Sequence, residues 1–148
     1  MRISSKGRYA LVAITSMAHR YDSGEYITVL SISERFGISK IYLEQVFSLL
    51  KRAGLVNSIK GAQGGYQLAK PPSKTNVYEI FSATELSLFE ETEQTVSEKS
   101  PEIEDAMKQL VFAPLDEKVK KQLQQITIEM LLSQVEKNKS EQDIMFFI

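Results

Sequence analysis

Residues 39–63 gather polar and cationic side chains at spacings that suit recognition by hydrogen bonding rather than bond-making. Ile41, Glu44, Ser48 and Arg52 recur every three or four residues, and Gln45 falls beside them. On a helix they share the outward side, with Ser39, Lys40 and Tyr42 near its start. Glu44 is an acceptor that matches a cytosine amino group, and Gln45 has the donor and acceptor to match an adenine edge. Lys51 and Arg52 are better suited to gripping phosphates. Lys60 and Gln63 follow in a glycine-rich stretch whose backbone can come close to a sugar–phosphate rim. A cation there suits a minor-groove or phosphate contact.

Other chemistries are largely closed off. The chain has no cysteine, which removes disulfides, thiol catalysis and any iron–sulfur cluster held by its own cysteines. Its single histidine, His19, falls in an expected helix and cannot build a zinc site alone. No metal or other cofactor is expected. No carboxylate pair and no nucleophile beside a base stands in a plausible setting, so an enzyme is not expected. The run from Gly61 to Gly65 bridges two strand candidates and opens no helix, unlike a phosphate-cradling loop.

The elements that must position these residues are legible from periodicity. A helix is expected over 4–21, capped by Ser4 or Ser5, with Leu11, Ile14, Ala18 and Tyr21 at helical spacing. Val12, Ala13 and Met17 add a second apolar stripe, so this helix should be central. Thr28 caps a short helix over 29–36, Gly37-Ile38-Ser39 makes a tight turn, and Ser39 caps a longer helix over 40–53. In it Leu43, Val46, Phe47 and Leu50 form the buried stripe, and Gly54 stops it. Strand candidates at 55–60 and 65–68 make a hairpin, and Pro71-Pro72 closes the unit. A helix over 76–84 completes a winged helix-turn-helix domain, residues 1–84.

Beyond it the composition changes. Residues 1–80 carry 11 Lys/Arg against 5 Asp/Glu, and residues 81–148 carry 7 against 14. The split implies a basic half that meets a polyanion and an acidic half with another task. Residues 85–100 read as an acidic, mobile loop. Ser100-Pro101-Glu102 reads as a helix start, opening dimerisation helices over 101–136 with a break near Thr127. Leu115, Val119, Leu123, Ile126 and Met130 form a seam longer than one small domain needs, which points to a homodimer. Residues 137–148 read as a tail, polar at first and ending in an apolar run. No apolar run nears the roughly 20 residues that span a bilayer, and the start lacks the apolar stretch of a secretory signal. A cytoplasmic protein without membrane contact is expected.

Three stretches carry a resemblance: MRISSKGRYA at 1–10, IYLEQVFSLLKRAGLV at 41–56 and SIKGAQGGYQLA at 58–69. They resemble the Rrf2-type family of bacterial regulators, the group that includes IscR, NsrR and CymR. The likeness is close over the first 80 residues and looser over 115–132, which resembles that family's dimerisation helix and the short helix after it. It implies a mainly helical winged helix-turn-helix fold with a hairpin wing and a long C-terminal dimerisation helix. It also implies a sequence-specific repressor that binds palindromic double-stranded DNA as a homodimer.

Carried over by position, Ser39, Tyr42, Glu44, Gln45 and Lys60 are the first DNA contacts implied; Lys6, Lys40, Arg52 and Gln63 join them on charge and place. Lys60 and Ser33 stand where the family often has Arg and Ala. Many members hold an iron–sulfur cluster with three cysteines in the loop matching 89–101, and here that loop has none. The chain therefore resembles the cluster-free, CymR-like branch tied to sulfur and cysteine metabolism. That branch implies a cysteine synthase partner docked through Phe147 and Ile148. The competing expectation is that residues 145–148 fill a groove beside the first helix of the dimer. The alternative function is an interaction adaptor that kept the fold but not DNA binding.

Overall fold

The computed structural model describes residues 1–61 and 64–147; Ala62, Gln63 and Ile148 lie outside the described residues, as does the side chain of Phe147. The chain is mainly helical with one two-stranded antiparallel hairpin.

Helix α1 (Ser5–Ala18) runs through the centre, burying Ala10, Ala13, Ile14 and Met17. Ser4 Oγ caps it, accepting from Gly7 N at 3.4 Å. It stops three residues short of the expected end. The Ser23 hydroxyl donates to Arg20 O at 2.7 Å, and residues 21–23 form a separate 3-10 turn. Gly24 follows in the left-handed region at φ 69° and ends the turn.

Helix α2 (Val29–Phe36) and helix α3 (Lys40–Arg52) are capped as the sequence predicts. Thr28 Oγ1 accepts from Ser31 N at 3.1 Å, and Ser39 Oγ accepts from Tyr42 N at 3.4 Å. Gly37 turns the chain between them at φ 66°. Leu43, Val46, Phe47 and Leu50 of α3 are all fully buried, each worth about 1.5–3 kcal/mol of apolar transfer. Strands β1 (Val56–Ile59) and β2 (Gly65–Leu68) pair from Val56 opposite Leu68 to Ile59 opposite Gly65. Helix α4 (Val77–Thr84) follows, with Asn76 Oδ1 accepting from Glu79 N at 3.0 Å.

Residues 85–100 contain no helix or strand, yet this segment is pinned near both ends. Buried Glu85 accepts from Ser4 N at 2.9 Å and Ser4 Oγ at 2.6 Å, tying the end of α4 to the start of α1. Buried Glu104 accepts from Val96 N at 2.9 Å. These two carboxylates hold backbone rather than solvate the surface.

Helix α5 (Pro101–Met107) leads through a π-helical turn, Lys108–Phe112, into α6 (Ala113–Gln124). Pro114 explains the turn. It has no N–H to offer, and the ladder loosens just before it, with Ala113 N donating five residues back to Lys108 O. The Ser100 hydroxyl donates to Glu102 at 2.9 Å instead of capping a backbone amide. That bond and the Glu102 backbone N–H, the larger cause, hold the Glu102 carboxyl below its ordinary value.

Thr127 caps the last helix as expected, its Oγ1 accepting from Met130 N at 3.2 Å. The break docks onto the first domain: Val77 N donates to Ile126 O and Ile128 N to Thr75 O, both at 2.9 Å. Helix α7 (Ile128–Phe147) is not short. It runs for 20 residues through the stretch expected to be a tail.

Candidate nucleic-acid interface

The outward side of α3 follows from its inward side. Four buried residues fix the rotation of the helix, and Glu44, Gln45, Ser48 and Arg52 are consequently exposed, with Ile41 beside them. Lys40 Nζ lies 3.8 Å from Glu44 Oε1, one helical turn on, in a solvent-exposed pair. Such a pair is worth only a few tenths of a kcal/mol, so both side chains can exchange it for an outside partner. Tyr42 is half-buried, packed edge-on against Tyr9 of α1 with ring centroids 5.4 Å apart. Its ring holds the start of α3 against α1, and Ser39 is occupied as the cap beneath it. Lys6 lies on α1 one turn before Tyr9, so helical spacing places it on the side that meets Tyr42.

The wing is fixed relative to α3 by contacts far apart in sequence. Phe47, on the buried side of α3, packs against Tyr66 of β2 with centroids 4.5 Å apart. Tyr66 also exchanges two backbone hydrogen bonds of 2.8 Å with Ile27, adding a one-residue third strand. Gly65 is required there, because a Cβ would stand 2.6 Å from Ile27 O. Lys60 is exposed at the tip, next to a turn closed by Gly64 N and Gly61 O at 3.0 Å. Gln63 lies outside the described residues.

The structure thus gathers Ser39, Lys40, Tyr42, Glu44, Gln45 and Arg52 on one helix and holds Lys60 on a hairpin braced against that helix. Tyr9, Ile27 and the Ser4–Glu85 tie were not anticipated. Only the GGY stretch gave a local hint, and the 81-residue separation of Ser4 and Glu85 leaves no periodic trace.

The expected seam divides. Leu123 and Ile126 pack against the protomer's own core, whereas Leu115 and Met130 are exposed and Val119 is half-buried. The exposed large apolar residues between 101 and 124 are Ile103, Leu110, Val111 and Leu115. The break after α6 underlies the difference: Leu123 and Ile126 flank the point where the chain docks on residues 75–77, whereas Leu115 lies about two turns before it and Met130 belongs to the next helix.

Known proteins fit this geometry. The sequence profile of the Rrf2 family, described as iron-dependent transcriptional regulators, matches residues 3–134. The chain belongs to the Rrf2 family of transcriptional regulators. Its winged helix-turn-helix is that of the family. It is 46% identical over 86 residues to the HTH-type transcriptional regulator IscR of Cereibacter sphaeroides, covering 57% of this chain and 56% of that one. The match thus spans little more than half the length of that relative. The structure of CymR, the global cysteine regulator of B. subtilis, superposes with a TM-score of 0.71 at 32% identity, covering 90% of this chain and 97% of that one. IscR of T. potens does so with a TM-score of 0.65 at 30% identity, over 93% and 90%.

The description "iron-dependent" finds no obvious ligand set here. The chain lacks cysteine, and the described residues contain no group of three or more His, Asp or Glu that could hold a metal ion. No described helix is long and apolar enough to cross a membrane.

Proposed function

We propose that this Rrf2-family chain is a repressor that binds a palindromic operator as a homodimer, without an iron–sulfur cluster, and controls genes of sulfur or cysteine metabolism. The observation that carries the DNA-binding reading is the polar outward side of α3, set at a fixed angle to a cationic wing by the Phe47–Tyr66 contact. In this reading α3 enters the major groove. Glu44 accepts from a cytosine amino group and Gln45 pairs with an adenine edge. Lys6, Lys40, Tyr42, Ser39 and Arg52 contact the backbone around them, and Lys60 and Gln63 reach the minor groove or its phosphates.

The homodimer reading rests on Ile103, Leu110, Val111 and Leu115, an apolar stripe that one protomer leaves uncovered. The cluster-free reading rests on the absence of cysteine from a chain whose relatives include IscR. The sulfur assignment rests on the similarity to CymR along nearly the whole chain.

Selection of fragmented host DNA by the purified full-length protein, followed by sequencing, tests this. Palindromic sites upstream of sulfur amino-acid genes are expected. Clear palindromes elsewhere would remove the sulfur assignment and keep the repressor, and no enriched site at moderate salt would remove both.

A further inference from the structure

Between α4, the 85–100 segment and α5–α6 opens a cavity of about 710 Å³, within the size range of small-molecule sites. It shares no residue with α3 or the wing. One wall is aromatic: Tyr78 and Phe89 pack edge-on with ring centroids 5.1 Å apart, and Phe112 also lines the cavity. Lys120 Nζ lies 5.5 Å from the centroid of the Tyr78 ring, so this wall already receives an ammonium of the chain's own.

A buried acid supplies the second element. Glu104 is 7% exposed and lines the cavity. One of its oxygens, Oε2, accepts from Val96 N at 2.9 Å. The other, Oε1, has no hydrogen-bond partner among the described residues, yet it is not sealed off, so it opens on the cavity. A carboxylate in such a place is costly unless a cation reaches it. The lining as a whole holds six carboxylates against two lysines. Of the six, only Glu117 makes an ion pair among the described residues, with Lys121 Nζ at 3.6 Å.

We infer that this cavity binds an aliphatic diamine or polyamine. One ammonium donates to Glu104 Oε1 while the methylene chain lies against Tyr78, Phe89 and Phe112. A second ammonium meets the exposed acids Glu91, Asp105 and Asp116. A neutral ligand would leave Oε1 unpaired, and an anion would be repelled by the lining. An inorganic cation would answer the charge and leave the aromatic wall bare. Of the uncovered α5–α6 stripe only Leu115 borders the cavity, and every group named for the amine comes from one protomer. A bound amine braces the 85–100 segment against α4 and α5–α6.

Isothermal titration of the full-length protein with cadaverine and with spermidine tests this, without DNA so that the outcome is independent of the operator reading. A saturable site in each chain is expected for both amines, and none for the diol of the same length as cadaverine. Glu104→Gln keeps an oxygen for Val96 N but removes the charge, and it is expected to weaken cadaverine about tenfold. Lys120→Gln is expected to tighten it about threefold, because the Tyr78 ring loses its resident cation and the cavity a like charge. Glu98→Gln, in the same segment but outside the cavity, is expected to leave the affinity as it was. No saturable binding of either amine overturns the inference. So does equal binding of the diol, which would mean an apolar pocket without charge selection. Equal weakening by Glu98→Gln and Glu104→Gln also overturns it, since that would mean counter-ion attraction to an acidic surface. Should Glu104→Gln lose its melting transition, Lys120→Gln decides alone, and unchanged or weaker binding by that variant overturns it.

Discussion

The two halves of the chain bury their apolar residues very differently. Among the described residues, eighteen hydrophobic side chains are buried; seventeen precede residue 85 and one, Ile128, follows it. Among the described residues seventeen large hydrophobic side chains are exposed, and eleven of them follow residue 85. The first half closes on itself: α1 is wrapped, the inner side of α3 is sealed, and what remains outside is mostly polar or cationic. The second half is held to the first by a plug, Ile128, and by the paired backbone at 75–77 and 126–128, but its long helices leave apolar side chains uncovered. A reading head needs a rigid interior to aim a few polar groups, whereas a dimerising segment needs an exterior that a partner finishes.

That contrast can be broken at several points, in falling order of effect. Leu115→Asp places a charge in the uncovered stripe. It should give monomers and weaken operator binding on the order of a hundredfold, since linked binding of two half-sites is lost. Light scattering and operator titration check this, and an intact dimer would put the interface elsewhere. Phe47→Ala acts on the closed half. It should lower stability by about 3–5 kcal/mol in chemical denaturation and loosen the wing by removing the Tyr66 contact. Were the loss under 1 kcal/mol, the rigid-head account would fail.

Glu44→Ala leaves both halves folded. It should relax preference at one base pair per half-site by about 1–3 kcal/mol, read by binding to a panel of single-base variants. Uniform weakening across the panel would give Glu44 a structural role instead. Lys60→Ala should be the mildest, lowering the slope of log affinity against log salt by about one per subunit while base preference stays as it was. No change in slope would take Lys60 off the phosphate backbone.

The sequence is most transparent where structure is local. Thr28, Ser39 and Asn76 cap their helices through bonds to amides three residues on, and the stripe of α3 reads directly from a 3.6-residue period. The polar face of the candidate interface follows from that stripe by subtraction. It is less transparent where distant residues decide. The tie between Ser4 and Glu85, the bridge from Ile27 to Tyr66 and the docking of 126–128 on 75–77 have no periodic signature.

The seam was legible as apolar but not as divided. A repeat of fours and threes cannot show that the chain docks on 75–77 at 126–128, so that Leu123 and Ile126 face inward while Leu115 faces out. The tail misleads for a related reason. Lys137, Asn138 and Lys139 look like a loop by polarity, yet they continue α7 because nothing in 128–147 is proline or glycine to end it.

The most direct test of the central claim is a hydroxyl-radical footprint of the full-length protein on an operator recovered from host DNA. A two-fold pair of reading heads predicts two protected blocks related by a dyad, about 34–36 Å or a multiple of that apart, both weakened when Leu115→Asp separates the subunits. A single block without symmetry, unaffected by that substitution, would contradict the claim that α3 and its wing read DNA as half of a dimer.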